Sequence, residues 1–357
     1  MVHFLYLCMS LKHRNMKQKI VFIVNPISGT TSKEGIPALI NCYIDRDKYD
    51  FEIRMTEYAG HAEAIARESM EQGAHIVVAV GGDGTINEVA RAIVHSETAL
   101  GIIPCGSGNG LARHLMLPMK VQKAIDIINR GEIHTLDYGI INDHPFFCTC
   151  GMGFDADVSM RFAESGKRGP ITYVQKVLEQ GLKYKPETYE IIDSNGVSRC
   201  KAFLISCANA SQYGNNAYIA PQASMSDGLL DVVIMEPFTM LEAPQISIDM
   251  FNKTLDKSSK IKTFKCKELN IRRKKPGVIH YDGDPMMSGE EVHIQLEEKG
   301  IRVVVNPDAD KAVRKPNALQ TAAAELFNEI NFVRDDLSHR QRQVRALSKV
   351  LQRKLNL

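Results

Sequence analysis

Apolar and polar positions follow two different rhythms along this chain, and the change between them falls near residue 134. Upstream, short apolar blocks alternate with helical stripes. "KIVFIVNP" (19–26), "YDFEIRMT" (49–56), "AHIVVAV" (74–80) and "ALGIIP" (99–104) predict strands, and the last two are unbroken aliphatic runs suited to a sheet covered on both faces. Between them, "HAEAIARESMEQG" sets Ala62, Ile65, Ala66 and Met70 on one helical stripe, with Gly73 as its stop. "INEVARAIV" does the same with Ile86, Val89, Ala90 and Ile93. This βαβα order predicts an α/β domain on a mainly parallel sheet over residues 16–137.

Downstream the period shortens. "IHTLDYGIINDHPFFCTCGMG", "TYEIIDSNGVSRCKAFLISCANA", "GLLDVVIME", "KELNIRRKKPGVIHYDGDP" and "EVHIQLEEKGIRVVVNP" are short strand patterns joined by Asn-Gly, Pro-Gly and similar turns. They predict an all-β antiparallel sandwich over 138–307, interrupted by one helical insertion, "YVQKVLEQGLKY". From 308 to 357 the pattern is helical again, with a seam of Leu326, Ile330, Val333, Leu337, Val344, Leu347 and Leu351 and with seven Lys or Arg against two Asp from Arg334 onward. That segment reads as an amphipathic helix packed on the body or on a second copy of the chain, as in a homodimer; the alternative is a basic helix lying on anionic headgroups. Residues 1–15 are apolar over too short a run to span a bilayer, and their positive charges follow the apolar stretch rather than precede it. They read as an extension ahead of a natural start at Met16.

Composition narrows the class only a little. With 357 residues, 44% hydrophobic and 24% charged, the chain can bury two cores, and a net charge of +2 gives no reason to expect a nucleic acid. Eight cysteines with no CxxC pair or metal-ligand spacing point to reduced thiols in a cytoplasmic setting.

The chemistry lies at three strand ends. "NPISGTTS", "GGDGTINE" and "PCGSGNGLARHL" follow the first, third and fourth strands, so the loops line up along the carboxyl edge of the sheet, where α/β proteins bind ligands. Their glycines let backbone N–H groups turn outward, and each following helix offers its positive end, so each loop is a candidate phosphate cradle. Neither G-x-x-x-x-G-K-[ST] nor a proper G-x-G-x-x-G is present, which argues against a P-loop enzyme and a dinucleotide dehydrogenase.

"NPISG", "GGDGTINEV" and "IPCGSGNGLAR", followed in order by "TLDYGIIN", "GFDADV", "SDGLLDVVI" and "YDGDP", resemble the signatures of the diacylglycerol kinase catalytic domain family, which includes bacterial lipid kinases, diacylglycerol kinases and sphingosine and ceramide kinases. The resemblance covers about residues 19–305. It implies an NAD kinase-like α/β nucleotide-binding domain, a β-sandwich that offers the lipid, and an enzyme bound peripherally to the inner face of a membrane. It implies that ATP is contacted by Asn25, Pro26, Ser28, Gly29, Thr56, Gly81, Gly82, Asp83, Gly84, Thr85, Asn87, Gly106, Ser107 and Asn109. It further implies a structural Mg²⁺ held by the Asp227 carboxylate and the carbonyls of Ser224 and Leu229, and places Asp137 in the hydrogen-bond network of the site.

Phosphoryl transfer also needs Mg²⁺ to neutralise the moving phosphate and an acid to deprotonate the acceptor. Asp83 in the glycine turn and Asp282 and Asp284 in "YDGDP" are the candidates. Relatives usually carry DGE where this chain has Asp284, one methylene shorter. Plain turns are the alternative reading of both Asp-Gly sites; Glu88 reads equally as an ordinary first-turn acid, Lys33 and Arg113 as flanking helpers of the cradles or as surface charges, and the run "RRKKPG" as a solvated hairpin tip or, beside a lipid site, a hold on an anionic membrane surface. The functional expectation is an ATP-dependent lipid kinase acting on diacylglycerol, a sphingoid base or ceramide. An NAD kinase-like enzyme and a non-catalytic lipid- or nucleotide-binding regulator are the alternatives.

Overall fold

The computed structural model of the chain describes residues 17–27, 29, 33–165, 181, 184–239 and 241–309. The expected extension at 1–15, Ser28, the helical insertion apart from Gly181 and Tyr184, and the C-terminal segment from 310 lie outside the described residues.

The first domain runs β1 (Gln18–Val24), α1 (Ile36–Tyr43), β2 (Tyr49–Met55), α2 (His61–Glu71), β3 (Ile76–Gly81), α3 (Asp83–Ile93), β4 (Ala99–Pro104), α4 (Gly110–His114) and α5 (Val121–Arg130). Its four strands are parallel in the order β2-β1-β3-β4. The two aliphatic runs expected to be covered on both faces, β3 and β4, are buried at every position. Helices α2 and α3 pack side by side and α1 packs against α5, the placement that crossovers of the usual right hand produce for this strand order. Helix α5 carries Ala124, Ile125, Ile127 and Ile128 into the core and stops at Gly131 in the left-handed conformation.

The second domain comprises β5 (Ile133–Ile141), β6 (His144–Phe146), β7 (Thr149–Gly153), α6 (Phe154–Ser165), β8 (Glu187–Asp193), β9 (Gly196–Ala202), β10 (Leu204–Ala208), β11 (Leu230–Met235), α7 (Ala243–Phe251), β12 (Ile261–Cys266), β13 (Glu268–Arg273), β14 (Gly277–Tyr281), β15 (Asp284–Ser288) and β16 (Glu291–Val304). Six strands form one sheet in the order β12-β11-β10-β7-β14-β15. The facing layer is a continuation of the first domain's sheet: Arg302 and Val303 of β16 pair parallel with Ala99 and Leu100 of β4, and β13, β8 and β9 follow beyond. Inward residues of both layers, among them Ile191, Ile271 and Ile294 from one and Met152, Ile205 and Val232 from the other, fill the sandwich core. The expected boundary at 137/138 falls inside β5, whose residues pair with β16 along both halves of the molecule.

No helix among the described residues is long and apolar enough to cross a membrane. Cys150 and Cys207 sit directly opposite each other across β7 and β10 in this core as free thiols, and burial pushes the Cys150 thiol well up.

Candidate active site

The three glycine turns converge because each closes on another. At the end of β1 the Asn25 N–H donates to Val80 O at 3.1 Å, and its side chain Nδ2 donates to Thr85 Oγ1 at 3.0 Å, tying the first turn to the second. Gly29, with φ +69°, lies so near the third turn that a Cβ there would stand 2.2 Å from Cys105 O. A Cβ on Gly106 would stand 2.4 Å from the Cα of Gly82. Close approach of main chain to main chain is therefore what these two glycines are for. Pro26 and Ser107 sit exposed at the turn tips, while Thr56 is buried where β2 ends, its N–H on Val24 O.

Asp83 reaches beyond its own turn. Its Oδ2 accepts from Asn109 N–H at 2.8 Å and its Oδ1 from Gly110 N–H at 2.6 Å, so it caps α4 from a neighbouring strand end. Asn109, left-handed at φ 54°, folds its side chain back on Gly106, accepting at 2.9 Å and donating at 2.8 Å. Glu88 repeats the device: its two oxygens accept from Gly60 N–H and Ala62 N–H at the start of α2. Lys33 is buried and donates to Cys105 O at 3.1 Å, and Arg113 donates to Gly108 O and to Asn216 Oδ1, so both brace the third turn from within.

The second domain meets these turns through the β14–β15 hairpin. Asp282, left-handed at φ 49°, accepts at Oδ2 from Asn87 Nδ2 (2.7 Å) and Phe147 N–H (2.8 Å), and at Oδ1 from Cys148 N–H (2.7 Å) and Thr149 N–H (3.0 Å). The bond from Asn87 crosses between domains. It sets the hairpin against α3, one turn below Asp83.

Asp284 opens β15 and, among the described residues, no hydrogen bond holds its carboxylate. The residue as a whole is exposed, yet loss of solvent first, then the charge of Asp282, raise its pKa above the ordinary carboxylate value, with Arg91 opposing and Glu88 and Asp83 adding. Burial also raises Asp83 and Asp282, against the N–H groups that lower them. A concentration of acids held partly against ionisation is a mark of a functional cleft.

Mg²⁺ fits this cleft in one mode. The described residues gather no group of three or more His, Cys, Asp or Glu able to hold a metal alone, but Asp83 keeps lone pairs beyond its two N–H donors and Asp284 is unbonded. An ion completing its shell with nucleotide phosphate and water suits such a set. In the loop expected to hold structural Mg²⁺, the Asp227 carboxylate is shared with a lysine. Asp227 Oδ2 takes Lys265 Nζ at 2.7 Å, its Oδ1 accepts Leu229 N–H at 3.2 Å, and Ser224 Oγ lies 3.3 Å from Ser226 Oγ. Lys265 also reaches Asp231 at 3.1 Å, so an ammonium already neutralises the loop. Asp137 anchors that loop, accepting from Gly228 N–H and Lys299 N–H.

Two groups of side chains were missed in the sequence. Asp155 of "GFDADV" accepts from Tyr213 OH at 3.0 Å and pairs with buried His280 at 3.1 Å, fastening α6 to the strand that leads into Asp282. Asn209, fully buried, donates to Asp137 O and Phe147 O. Within the basic run only Arg273 is buried, donating to the carbonyls of Gly277, Val278, Ser288 and Gly289, while Arg272, Lys274 and Lys275 stay exposed, Arg272 pairing with Glu291 and Lys275 with Glu187.

Comparison with known proteins matches both parts of the chain. The family described as "Diacylglycerol kinase catalytic domain" matches residues 19–141, and "YegS C-terminal NAD kinase beta sandwich-like domain" matches 148–305. A diacylglycerol kinase of Staphylococcus saprophyticus is 28% identical over 75% of this chain and 90% of its own length. A probable YegS-like lipid kinase of Chromohalobacter salexigens is 28% identical over 65% of this chain and 77% of its own, and a Synechocystis protein is 30% identical over 66% and 58%. The crystal structure of a putative diacylglycerol kinase from Bacillus anthracis superposes with a TM-score of 0.66 at 20% identity, covering 81% of this chain and 98% of that one. With one family description following the other across both of its domains, the chain belongs to the diacylglycerol kinase catalytic domain family of lipid kinases, with a second domain of the YegS C-terminal type.

Proposed function

We propose that this lipid kinase transfers the γ-phosphoryl group of ATP to a hydroxyl of a membrane lipid, with Asp284 as general base. The observation that carries the reading is the Asn87–Asp282 bond, which sets the only unbonded acid of the three against the glycine turns. Main chain of the Gly81–Gly84, Gly29 and Gly106–Ser107 turns lines the phosphate path, and the first turn of α3 adds its positive end. Mg²⁺ bound with the phosphates would neutralise charge there.

Asp284 takes the proton of the acceptor hydroxyl as that oxygen bonds to the γ-phosphorus and the bond to the bridging oxygen breaks, leaving ADP. Asp83 is a weaker candidate for the base because both of its oxygens are engaged by α4. Asp282 acts as a positioning residue. Its four bonds fix the turn whose next strand begins with Asp284.

Diacylglycerol is the first acceptor to test, and a sphingoid base or ceramide the second, since "GSGNGLA" is nearer the wording of those kinases. Radiolabelled ATP supplied with a lipid panel and with NAD tests the reading. Label in a lipid is expected, and label in NADP alone would sink it.

A further inference from the structure

Of the seven large hydrophobic side chains exposed among the described residues, three cluster at one place: Ile27 (77%) just past β1, Met55 (43%) at the end of β2 and Tyr58 (64%) in the loop after it. The ends of these strands are adjacent, since Val24 and Met55 are register partners. This is the carboxyl edge of the sheet, next to Thr56 and the first glycine turn, where a solvated apolar patch is costly unless something covers it.

The patch is built rather than loose. The Tyr58 ring stacks on His61 with centroids 4.4 Å apart and planes 2° from parallel. His61 is fixed in turn, its Nδ1 accepting from Glu57 N–H at 3.1 Å and its own N–H donating to Tyr58 O at 3.2 Å. Gly60, at φ +86°, bends the loop, and Glu88 takes Gly60 N–H and Ala62 N–H at 3.0 and 3.1 Å. Glu88 belongs to α3, the helix that opens with Asp83 of the second glycine turn. The aromatic pair is thus braced on the element that carries the phosphate turn. Glu88 lies six residues beyond Gly82, about 9 Å along the helix axis. That is on the scale of a nucleotide's reach from base to phosphates.

One face of Tyr58 is taken by His61, and among the described residues no other ring stacks on the exposed side chain. We infer that the other face of Tyr58, flanked by Ile27 and Met55, is the platform on which the purine base of the nucleotide stacks, making Tyr58 a specificity-determining residue. The inference rests on the kinase reading given above and adds the residue that selects the base. Stacking rewards ring area, so purine nucleotides gain more than pyrimidine ones.

The chain contains no tryptophan, so Tyr58→Trp places a single emitter on the platform. Saturable quenching of its fluorescence by ADP, and none by inorganic tripolyphosphate, is the expected result. In parallel, Tyr58→Ala should weaken ADP binding about tenfold by titration calorimetry, leave tripolyphosphate binding and the melting temperature unchanged, and narrow the preference for ATP over CTP. Tyr58→Phe should behave as wild type. Wild-type ADP affinity in Tyr58→Ala overturns this inference alone. A wild-type chain that binds no ADP overturns the kinase reading and the inference with it.

Discussion

Two Asp-Gly turns of the second domain begin alike in sequence and dispose of their charge in opposite ways. At Asp227-Gly228 the carboxylate meets a cation, Lys265 at 2.7 Å, which Asp231 shares. At Asp282-Gly283 it meets only dipoles, three backbone N–H groups and the Asn87 amide, while two more acids, Asp83 and Asp284, stand within electrostatic reach. Neutralising a turn with an ammonium makes it self-sufficient. Neutralising it with dipoles leaves net negative charge beside the glycine turns and an adjacent acid that ionises reluctantly, which suits a group that must give and take a proton.

The sharpest way to break this contrast is to remove the acids. Asp284→Asn should lower kcat by about a thousandfold, within the usual range for loss of a general base, while Asp227→Asn should leave kcat within a few-fold. Both are read by initial rates at saturating ATP and lipid. A melting curve on the same samples separates chemistry from folding. Asp284 with its raised pKa prefers to be protonated when folded, so its stabilising share is present below the ordinary carboxylate value and is lost as pH rises through the raised one. Asp284→Asn should therefore melt no lower than wild type at neutral pH. By the same sign, the acid limb of wild-type kcat/KM should rise through a value above that of an ordinary aspartate.

Asp282→Ala comes next. It strands the N–H groups of Phe147, Cys148 and Thr149 and unties Asn87, for a loss of about 3 kcal/mol in denaturant unfolding together with most activity. If stability falls while kcat holds, the hairpin is structural and Asp282 positions nothing.

Much of this was legible in the sequence, for physical reasons that differ by residue. The glycine turns could be read because a main-chain approach as close as Gly29 on Cys105 O admits no side chain, so the requirement is written in residue type. The buried strands β3 and β4 were legible from their unbroken aliphatic runs. Helix α5 passed unread although its apolar spacing and Gly131 were present, and α1, α6 and α7 carry weaker patterns. What the sequence could not carry was direction and distance. Asp83 lies in one glycine turn and caps the helix of another, 26 residues on. Arg273 stands in a basic run, but β13 alternates exposed and buried positions and turns that one guanidinium inward onto four carbonyls. The continuation of the parallel sheet into the sandwich through β16 depends on pairing across some two hundred residues, which no local pattern announces.

A smaller effect sharpens the other side of the comparison. Lys265→Met removes the cation shared by Asp227 and Asp231 and should lower stability by about 1 kcal/mol, the scale of a partly exposed pair. Burial lowers the Lys265 pKa, but Asp227 and Asp231 together outweigh it and raise it above the ordinary lysine value, so its contribution is fully present at neutral pH and is lost only on passing up through that raised value in strong alkali.

The smallest expected effect is none, and it decides which cation the turn uses. With the ammonium already on Asp227, stripping divalent ions from the nucleotide-free protein with EDTA should leave the melting temperature of wild type unchanged. In Lys265→Met the same loop presents Asp227 and Asp231 without a counter-charge, so millimolar Mg²⁺ or Ca²⁺ should raise its melting temperature and EDTA should reverse the rise. A wild-type chain whose melting temperature falls in EDTA and recovers with Mg²⁺ would mean that the ion pair and a metal share the turn, and the two Asp-Gly turns would then differ in degree rather than in kind.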